Sequence, residues 1–174
     1  MAISLYDASV LSYLQILDAM KGFLQKGRDW CEAKGVDCED MVEAKLFEDM
    51  HPFRFQVQQV VFHSAGAIGA MRSGVLAFGG PRPQHDYAGL QALVADAAAE
   101  LRALDPAEVN GFEGKDVAFR VPGKDDRVFT AEGFLLSFSL PNFHFHAATA
   151  YDILRHRGAP LGKLDFMGAL RLKG

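Results

Sequence analysis

The chain has 174 residues, a formal net charge of −4 and 49% hydrophobic residues. That length suits a single domain, which we expect to span residues 1–174. An acidic chain with scattered lysines and arginines disfavours a nucleic-acid partner, because such surfaces are usually basic. No run approaches the roughly 18 apolar residues of a membrane span, and the N-terminal segment carries Asp7 without the basic start of a signal peptide. We therefore expect a cytoplasmic protein with no membrane partner.

Three segments in the first two thirds of the chain show apolar residues at three- and four-residue spacing, which is typical of amphipathic helices. The first predicted helix runs from Tyr6 to about Ala33, with Ser4 or Asp7 as its cap. The second runs from about Pro52 to Leu76 and is rich in small residues toward its end. The third runs from about Tyr87 to Leu104.

The spacing of apolar residues changes in the segment after the third predicted helix. Val117, Phe119 and Val121 alternate, and a Pro-Gly-Lys-Asp-Asp turn follows, which predicts a β-hairpin of two short strands. A final long helix is predicted from about Ala131 to Arg157, where Gly158 ends it. Four long helices and one hairpin predict an all-α fold, a four-helix bundle with a short β-hairpin inserted before the last helix.

Several sequence motifs that carry chemistry in other proteins are missing. Cys31 and Cys38 stand seven apart without a second pair, which is neither a zinc-ribbon spacing nor a disulfide framework, so we expect two free thiols. Gly79-Gly80 lacks the lysine of a phosphate-binding loop. Ser64 beside His63 has no evident acidic partner and no nucleophile-elbow motif. A phosphate-loop enzyme and a serine hydrolase are therefore disfavoured.

Polar residues recur on one face of two predicted helices. Gln59 and His63 are four residues apart on the second helix, with Gln56 one turn earlier, and Asn142 and His146 are four apart on the last. Residues at this spacing share a helix face, and metal sites in bundles are built from inward side chains on facing helices.

Two interpretations of these polar faces stay open. His63 and His146 are candidate metal ligands, with Asn142 and Gln59 as candidate residues for binding a cofactor or substrate. An amide oxygen is a poorer ligand for zinc or nickel than a third imidazole, so this set of metal ligands would bind an ion weakly. The alternative is a polar network in which the four side chains hydrogen-bond one another or water.

Two further histidines on the last helix are expected to lie outside this site. His144 is two residues from Asn142, which places it about 160° around the helix. His156 lies in the last turn, where an imidazole usually caps the helix or faces solvent. Both are therefore expected to have structural or surface roles.

The C-terminal third of the chain resembles DUF1993, a bacterial family of unknown function within the DinB-like superfamily of metal-dependent four-helix bundles. The matching segments are LPNFHFH at 140–146, TAYDILRHRGAPLGK at 149–163 and DFMG at 165–168, together with FRFQV at 53–57 and His63. This resemblance implies a DinB-like bundle fold, commonly a homodimer, with a pocket where relatives often carry a metal.

The resemblance also implies a ligand set. DinB-like proteins usually place one histidine on the second helix and two, four residues apart, on the fourth. Those positions look like His63, position 142 and His146, and Asn142 stands where the first histidine of the pair would be. The resemblance therefore implies an altered pocket for a divalent transition metal, zinc or nickel, or for a small molecule. The alternative is a non-catalytic, ligand-binding or stress-associated dimeric bundle without a metal.

Overall fold

The computed structural model describes residues 3–80 and 83–173 of the chain. The helices are α1 (Leu5–Ala8), α2 (Val10–Lys34), α3 (Glu39–Val42), α4 (Phe53–Phe62), α5 (Ala65–Ser73), α6 (Tyr87–Arg102), α7 (Pro106–Asn110), α8 (Ala131–Phe134), α9 (Leu140–Arg157) and α10 (Lys163–Met167). The strands are β1 (Val75–Ala77), β2 (Asp116–Arg120) and β3 (Arg127–Thr130). A π-helical segment, Leu135–Ser139, joins α8 to α9.

Four long helices close into a bundle. Helix α2 packs against α6, α6 against α4, α4 against α9, and α9 against α2. Each contributes fully buried large side chains to one continuous apolar core, for example Phe23, Phe53, Leu90 and Phe143. The predicted four-helix bundle is thus confirmed. None of the helices in the described part of the chain combines the length and the apolarity needed to cross a bilayer.

The first helix begins with a capping box. Ser4 Oγ accepts a hydrogen bond from the backbone N–H of Asp7 at 3.0 Å, and the Asp7 carboxylate accepts one from the Ser4 N–H at 3.3 Å. These bonds satisfy N–H groups that lack partners inside the helix. The predicted first helix is interrupted at Ser9, which separates α1 from α2. The Ser9 hydroxyl donates to the Leu5 carbonyl at 2.6 Å.

The second helix is not the single helix from Pro52 to Leu76 that the apolar pattern predicts. It breaks at His63 and Ser64 into α4 and α5, and α5 ends at Ser73. Ser64 Oγ donates to the Val60 carbonyl at 2.7 Å, while the Ser64 N–H bonds to the carbonyl three residues earlier at 3.2 Å. The hydroxyl therefore takes the carbonyl that the Ser64 N–H would bond in a regular α-helix, and the helix bends at this point.

The sheet in the described residues has three strands, where the sequence pattern predicts two. Strand β2 pairs antiparallel with β3, with Val117 opposite Phe129, which confirms the predicted hairpin. Strand β1 pairs parallel with β2, with Val75 opposite Ala118. The end of the predicted second helix is therefore a strand, because pairing with β2 satisfies its backbone groups. This third strand ties the hairpin to the bundle.

The third helix matches its prediction closely. Helix α6 begins after Asp86, whose carboxylate accepts from the Gly89 N–H at 2.6 Å, and it ends two residues before the predicted Leu104. The Asp105-Pro106 pair that follows begins α7, with Asp105 as its cap and the proline in its first turn.

The last helix covers the predicted residues but contains the π-helical segment. Pro141 has no N–H to offer the carbonyl of Ser137, and a proline ring clashes with the carbonyl four residues before it. A π turn widens the helix here, which relieves that clash and adds one residue to the turn. Thr130 caps the start of α8, and Gly158 ends α9 in the left-handed conformation with φ 108°.

Two glycines of α2 provide a matched test of the bundle packing. A Cβ at Gly27 would lie 2.6 Å from the hydroxyl oxygen of Tyr87, which itself donates to the Leu24 carbonyl at 2.8 Å. We expect Gly27→Ala to lower the free energy of unfolding by about 1–3 kcal/mol through overpacking. A Cβ at exposed Gly22 meets nothing within 4 Å, so Gly22→Ala should raise it by roughly 0.5–1 kcal/mol.

Chemical denaturation of the two variants beside the wild type measures both effects. Equal destabilisation, or stabilisation by Gly27→Ala, would show that α2 and α6 do not approach as closely as described.

Candidate functional site

A cavity of about 720 Å³ opens between α4, α9 and the turn of the β2–β3 hairpin, and we call it the central cavity. Its volume is in the range of roughly 300–1,000 Å³ that is typical of small-molecule sites. The lining residues are His51, Phe55, Gln59, His63, Phe78, Phe119, Val121, Lys124, Asp125, Asp126, Arg127, Phe138, Asn142 and His146. All four side chains predicted from the sequence therefore face one space.

The imidazole rings of the two candidate ligand histidines are stacked. The ring centroids of His63 and His146 are 6.0 Å apart, and the ring planes are inclined by 13°. His63 reaches this position from the last residue before the bend between α4 and α5, and its side chain is only 4% exposed. His146 projects from α9, which packs along α4.

The hydrogen bonds of Gln56 fix the tautomer of His146. Gln56 Nε2 donates to the backbone carbonyl of His51 at 2.9 Å, so Gln56 Oε1 faces His146 Nδ1 at 2.8 Å. An amide oxygen can only accept, and the proton therefore sits on His146 Nδ1. This leaves the Nε2 lone pair free, and metal-ligating histidines are commonly oriented by such a bond through their other nitrogen.

Burial keeps both imidazoles neutral. Loss of solvation lowers the pKa of His63 to about 3, with a smaller contribution from the neighbouring His146. Loss of solvation also lowers the pKa of His146 to about 4, with a smaller contribution from His51. At neutral pH each ring therefore carries one proton and one lone pair, the form that binds metals or hydrogen-bonds a polar ligand.

The buried face of His63 is not satisfied. Its Nδ1 is buried and has no hydrogen-bond partner among the described residues. Its ring instead packs edge-on against Phe62 and Phe138. Buried polar atoms normally find a partner, so this nitrogen adds a desolvation cost to the position that His63 occupies.

The two amides predicted from the sequence also have free hydrogen-bonding capacity. Asn142 Nδ2 donates to the Phe138 carbonyl at 2.7 Å, and within the described residues no donor reaches Asn142 Oδ1. Gln59 is only 5% exposed, yet its side-chain amide has no hydrogen bond to any described residue. In the described structure the four predicted residues therefore do not hydrogen-bond one another.

A buried hydrogen-bond chain holds His63 in place. Ser139 Oγ donates to the His63 carbonyl at 2.7 Å. The Tyr13 hydroxyl lies 2.8 Å from Ser139 Oγ. Since the carbonyl can only accept, the serine proton is used there, and Tyr13 donates to Ser139. Burial raises the pKa of Tyr13 far above its usual value, so its proton stays in this chain.

Some lining residues are not among the predicted ones. His51 stacks on Phe55 with ring centroids 3.9 Å apart, and its carbonyl orients Gln56. Gln56 does not line the cavity but bonds His146; it shares the helix face of Gln59, so its spacing indicates a place near the site although not this role. The hairpin-turn residues 124–127 gave no signal, because only the folded hairpin brings them to the cavity.

The histidines that helix geometry excludes lie elsewhere. His144 and His156 are exposed and line none of the cavity. The part of the chain that the structure describes contains no cluster of three or more His, Cys, Asp or Glu side chains placed to hold a metal ion. A metal in the central cavity would thus rely on two imidazoles and on amide oxygens.

The bundle and the cavity between its second and last helices define a DinB-like fold with a small β insertion. A DinB family member protein from Shewanella denitrificans, with a crystal structure at 1.83 Å resolution, matches with a TM-score of 0.80 and 24% sequence identity. The match covers 98% of this chain and 95% of that one and concerns the fold. The chain belongs to DUF1993, a domain of unknown function, whose family model matches residues 5–167. No curated protein matches the sequence.

The neutral imidazoles predict a pH-dependent stability. His63 binds a proton at a pKa of about 3 in the folded protein, against 6.5 for the unperturbed group. The unfolded chain binds more protons between these values, so stability is full above pH 6.5 and is lost as the pH falls toward 3. We expect His63 to account for roughly 2 kcal/mol of lost unfolding free energy between pH 7 and pH 5.

Urea denaturation at pH 7, 6 and 5 measures this loss. His63→Gln should reduce the pH dependence without removing it, because His146, whose pKa is also lowered, remains. His156→Gln, at an exposed position that does not line the cavity, is the matched control. An unchanged slope in His63→Gln would mean that His63 is not held neutral by burial.

Proposed function

We propose that the central cavity binds a small polar molecule between α4 and α9. The observation that carries this proposal is that two polar lining groups are left without partners: the Gln59 amide and Asn142 Oδ1 have none among the described residues. A self-satisfied polar network would pair these groups with one another. A ligand that supplies both donors and acceptors would satisfy them instead.

We also propose that the same cavity holds a divalent transition metal, zinc or nickel, only weakly. An imidazole binds an ion along a nitrogen lone pair in its ring plane, and the rings of His63 and His146 are stacked 6.0 Å apart at an inclination of 13°, so both must turn to share one ion. His146 Nε2 is free for such a bond. Asn142 offers an amide oxygen in place of a third strong ligand, so the donor set fits a loosely held ion. A bound ion would polarise a ligand oxygen or lower the pKa of a bound thiol or water.

The second candidate function is non-catalytic ligand binding without a metal, in a dimeric bundle. The low pKa values of His63 and His146 favour it, because a general base is most effective when its pKa lies near the working pH. The floor of the cavity therefore offers hydrogen bonding more readily than proton transfer. Among the described lining residues, the charged side chains are those of residues 124–127, in the hairpin turn and at the start of β3.

The metal proposal predicts a gain of affinity on restoring a third imidazole. Protein purified without a metal-affinity column should bind Zn²⁺ weakly in calorimetric titration, and Asn142→His should tighten binding by roughly 100-fold. Asp152→His, which adds a histidine to an exposed part of α9, is the matched control and should bind as the wild type does. His146→Gln in the Asn142→His background should abolish the gain.

If Asn142→His bound Zn²⁺ no better than Asp152→His, the side chains at positions 63, 142 and 146 would not converge on one ion, and the metal proposal would fail. The ligand proposal would still stand, since it depends on hydrogen bonds alone.

The ligand proposal predicts where small polar molecules bind. In a fragment screen by ¹H–¹⁵N NMR, fragments containing an amide or an azole should shift the side-chain NH₂ signals of Gln59 and Asn142. Asn142→Leu should weaken these fragments by roughly five- to tenfold, as expected for the loss of one hydrogen bond. Gln25→Leu, on the exposed face of α2, is the control. Hits that bind Asn142→Leu unchanged, or that shift neither amide, would count against the central cavity as the site.

A further inference from the structure

Half of the described residues that line the central cavity carry an aromatic or imidazole ring. At the start of α4, His51 stacks on Phe55 with ring centroids 3.9 Å apart. The centroid of Phe55 lies 5.9 Å from that of His146, which in turn is 6.0 Å from that of His63. These four rings therefore follow one another along one side of the cavity.

The sequence of rings continues onto the sheet. The His63 centroid is 5.4 Å from that of Phe138 in the π-helical segment, and Phe138 is 4.6 Å from Phe119 on β2. Phe119 is 6.4 Å from Phe78, which follows β1. We call the rings from His51 to Phe78 the aromatic row. Aromatic rings attract one another at centroid separations of about 4.5–7 Å, so ring surfaces that border a cavity favour a planar aromatic ligand.

The two groups between α4 and α9 whose hydrogen-bonding roles are fixed are both acceptors. Asn142 uses its Nδ2 to donate to the Phe138 carbonyl, which leaves Oδ1 as an acceptor. His146 carries its proton on Nδ1, opposite Gln56 Oε1, which leaves the Nε2 lone pair. A carboxylate can also only accept, so this end of the cavity favours an N–H donor of the ligand and disfavours an anionic group.

The charged lining residues lie at the other end, on the hairpin. Arg120 donates to the Asp126 carboxylate from Nη2 at 2.7 Å and from Nε at 3.1 Å, so Asp126 is balanced by a residue outside the described lining. Lys124, Asp125 and Arg127 remain, and they leave one positive charge in excess among the described lining residues. This end of the cavity therefore favours an anion, although the whole chain has a net charge of −4.

The aromatic row by itself would also suit a cation, because the faces of aromatic rings attract positive charge. The excess charge of the hairpin decides between the two signs. A cationic ligand would face Lys124 and Arg127 with like charge, which costs binding free energy, whereas an anion would gain from the same two side chains.

We propose that the ligand of the central cavity is a planar aromatic anion. Its ring packs against the aromatic row, a ring N–H donates to Asn142 Oδ1 or His146 Nε2, and its anionic group faces Lys124 and Arg127. The inference rests on the proposed function, because the cavity is the same, and it adds the shape and the charge of the ligand. It requires no metal ion.

Three indoles of similar shape test the charge. Indole-3-propionate is an anion, indole-3-propionamide is neutral and tryptamine is a cation, and all three keep the indole N–H. In titrations followed by ¹H–¹⁵N NMR, binding in the central cavity should shift the side-chain NH₂ signals of Gln59 and Asn142. The anion should bind roughly fivefold more tightly than the amide, as expected for one exposed ion pair, and about tenfold more tightly than the cation.

A double variant tests the role of the hairpin. Lys124→Gln with Arg127→Gln should bring the affinity for indole-3-propionate to within about twofold of that for indole-3-propionamide. Lys21→Gln with Lys34→Gln removes the same charge from exposed positions of α2 that do not line the cavity, and it should keep the wild-type preference. Raising NaCl from about 50 to about 500 mM should weaken binding of the anion only.

Two further acids test the aromatic row. 3-Phenylpropionate and 3-cyclohexylpropionate carry the same carboxylate, but only the first has a planar aromatic ring. The phenyl acid should bind the wild type at least about threefold more tightly, because aromatic pairs contribute beyond the area that they bury.

The inference would be overturned by equal binding of indole-3-propionate and indole-3-propionamide, by tighter binding of tryptamine, or by equal binding of the phenyl and cyclohexyl acids. A double hairpin variant that kept the preference of the α2 control would also overturn it. In each of these cases the proposed function would stand, as long as the signals of Gln59 and Asn142 shift. If none of the five compounds shifted either signal, the inference and the proposed function would fail together.

Discussion

The hydrogen bond from Ser139 to the carbonyl of His63 connects the two irregular points of the bundle. One is the bend between α4 and α5, and the other is the π-helical segment before α9. Tyr13 donates to the same serine from α2, so three of the four long helical units meet in one buried polar chain. A regular helix at either place would turn Ser139 or His63 away from the other. The position of the imidazole in the central cavity therefore depends on this contact.

Both irregularities have local causes that sequence periodicity does not report. Pro141 forces a wide turn because it lacks an N–H, and Ser64 bends the second helix by donating its hydroxyl to a carbonyl of the previous turn. Serine and proline can also sit in a helix without these effects, so their presence alone does not predict a bend. The apolar spacing located the four long helical segments because that signal is repeated over many turns, but it did not predict the break at His63 and Ser64 or the strand β1.

The site could be predicted in part for a similar reason. Asn142 and His146 share a face because they are four residues apart, and a bundle with facing helices brings His63 opposite them. The other lining residues come from distant segments of the chain. Strand β1 pairs with a strand over forty residues later, and the hairpin turn reaches the cavity only once this sheet is formed. Gln56 was visible on the correct face, but its bond to His146 requires the register between α4 and α9. The register between two helices depends on how they pack and cannot be predicted from the sequence of either helix alone.

Asparagine at position 142 changes what the cavity can recognise. With Nδ2 donated to the Phe138 carbonyl, the side chain presents an uncharged acceptor oxygen, and the neighbouring imidazoles are neutral because they are buried. The floor thus combines hydrogen-bond acceptors and donors without a fixed charge. The cavity therefore presents neutral hydrogen-bonding groups from its two helices, while its charged lining residues, 124–127, come from the hairpin.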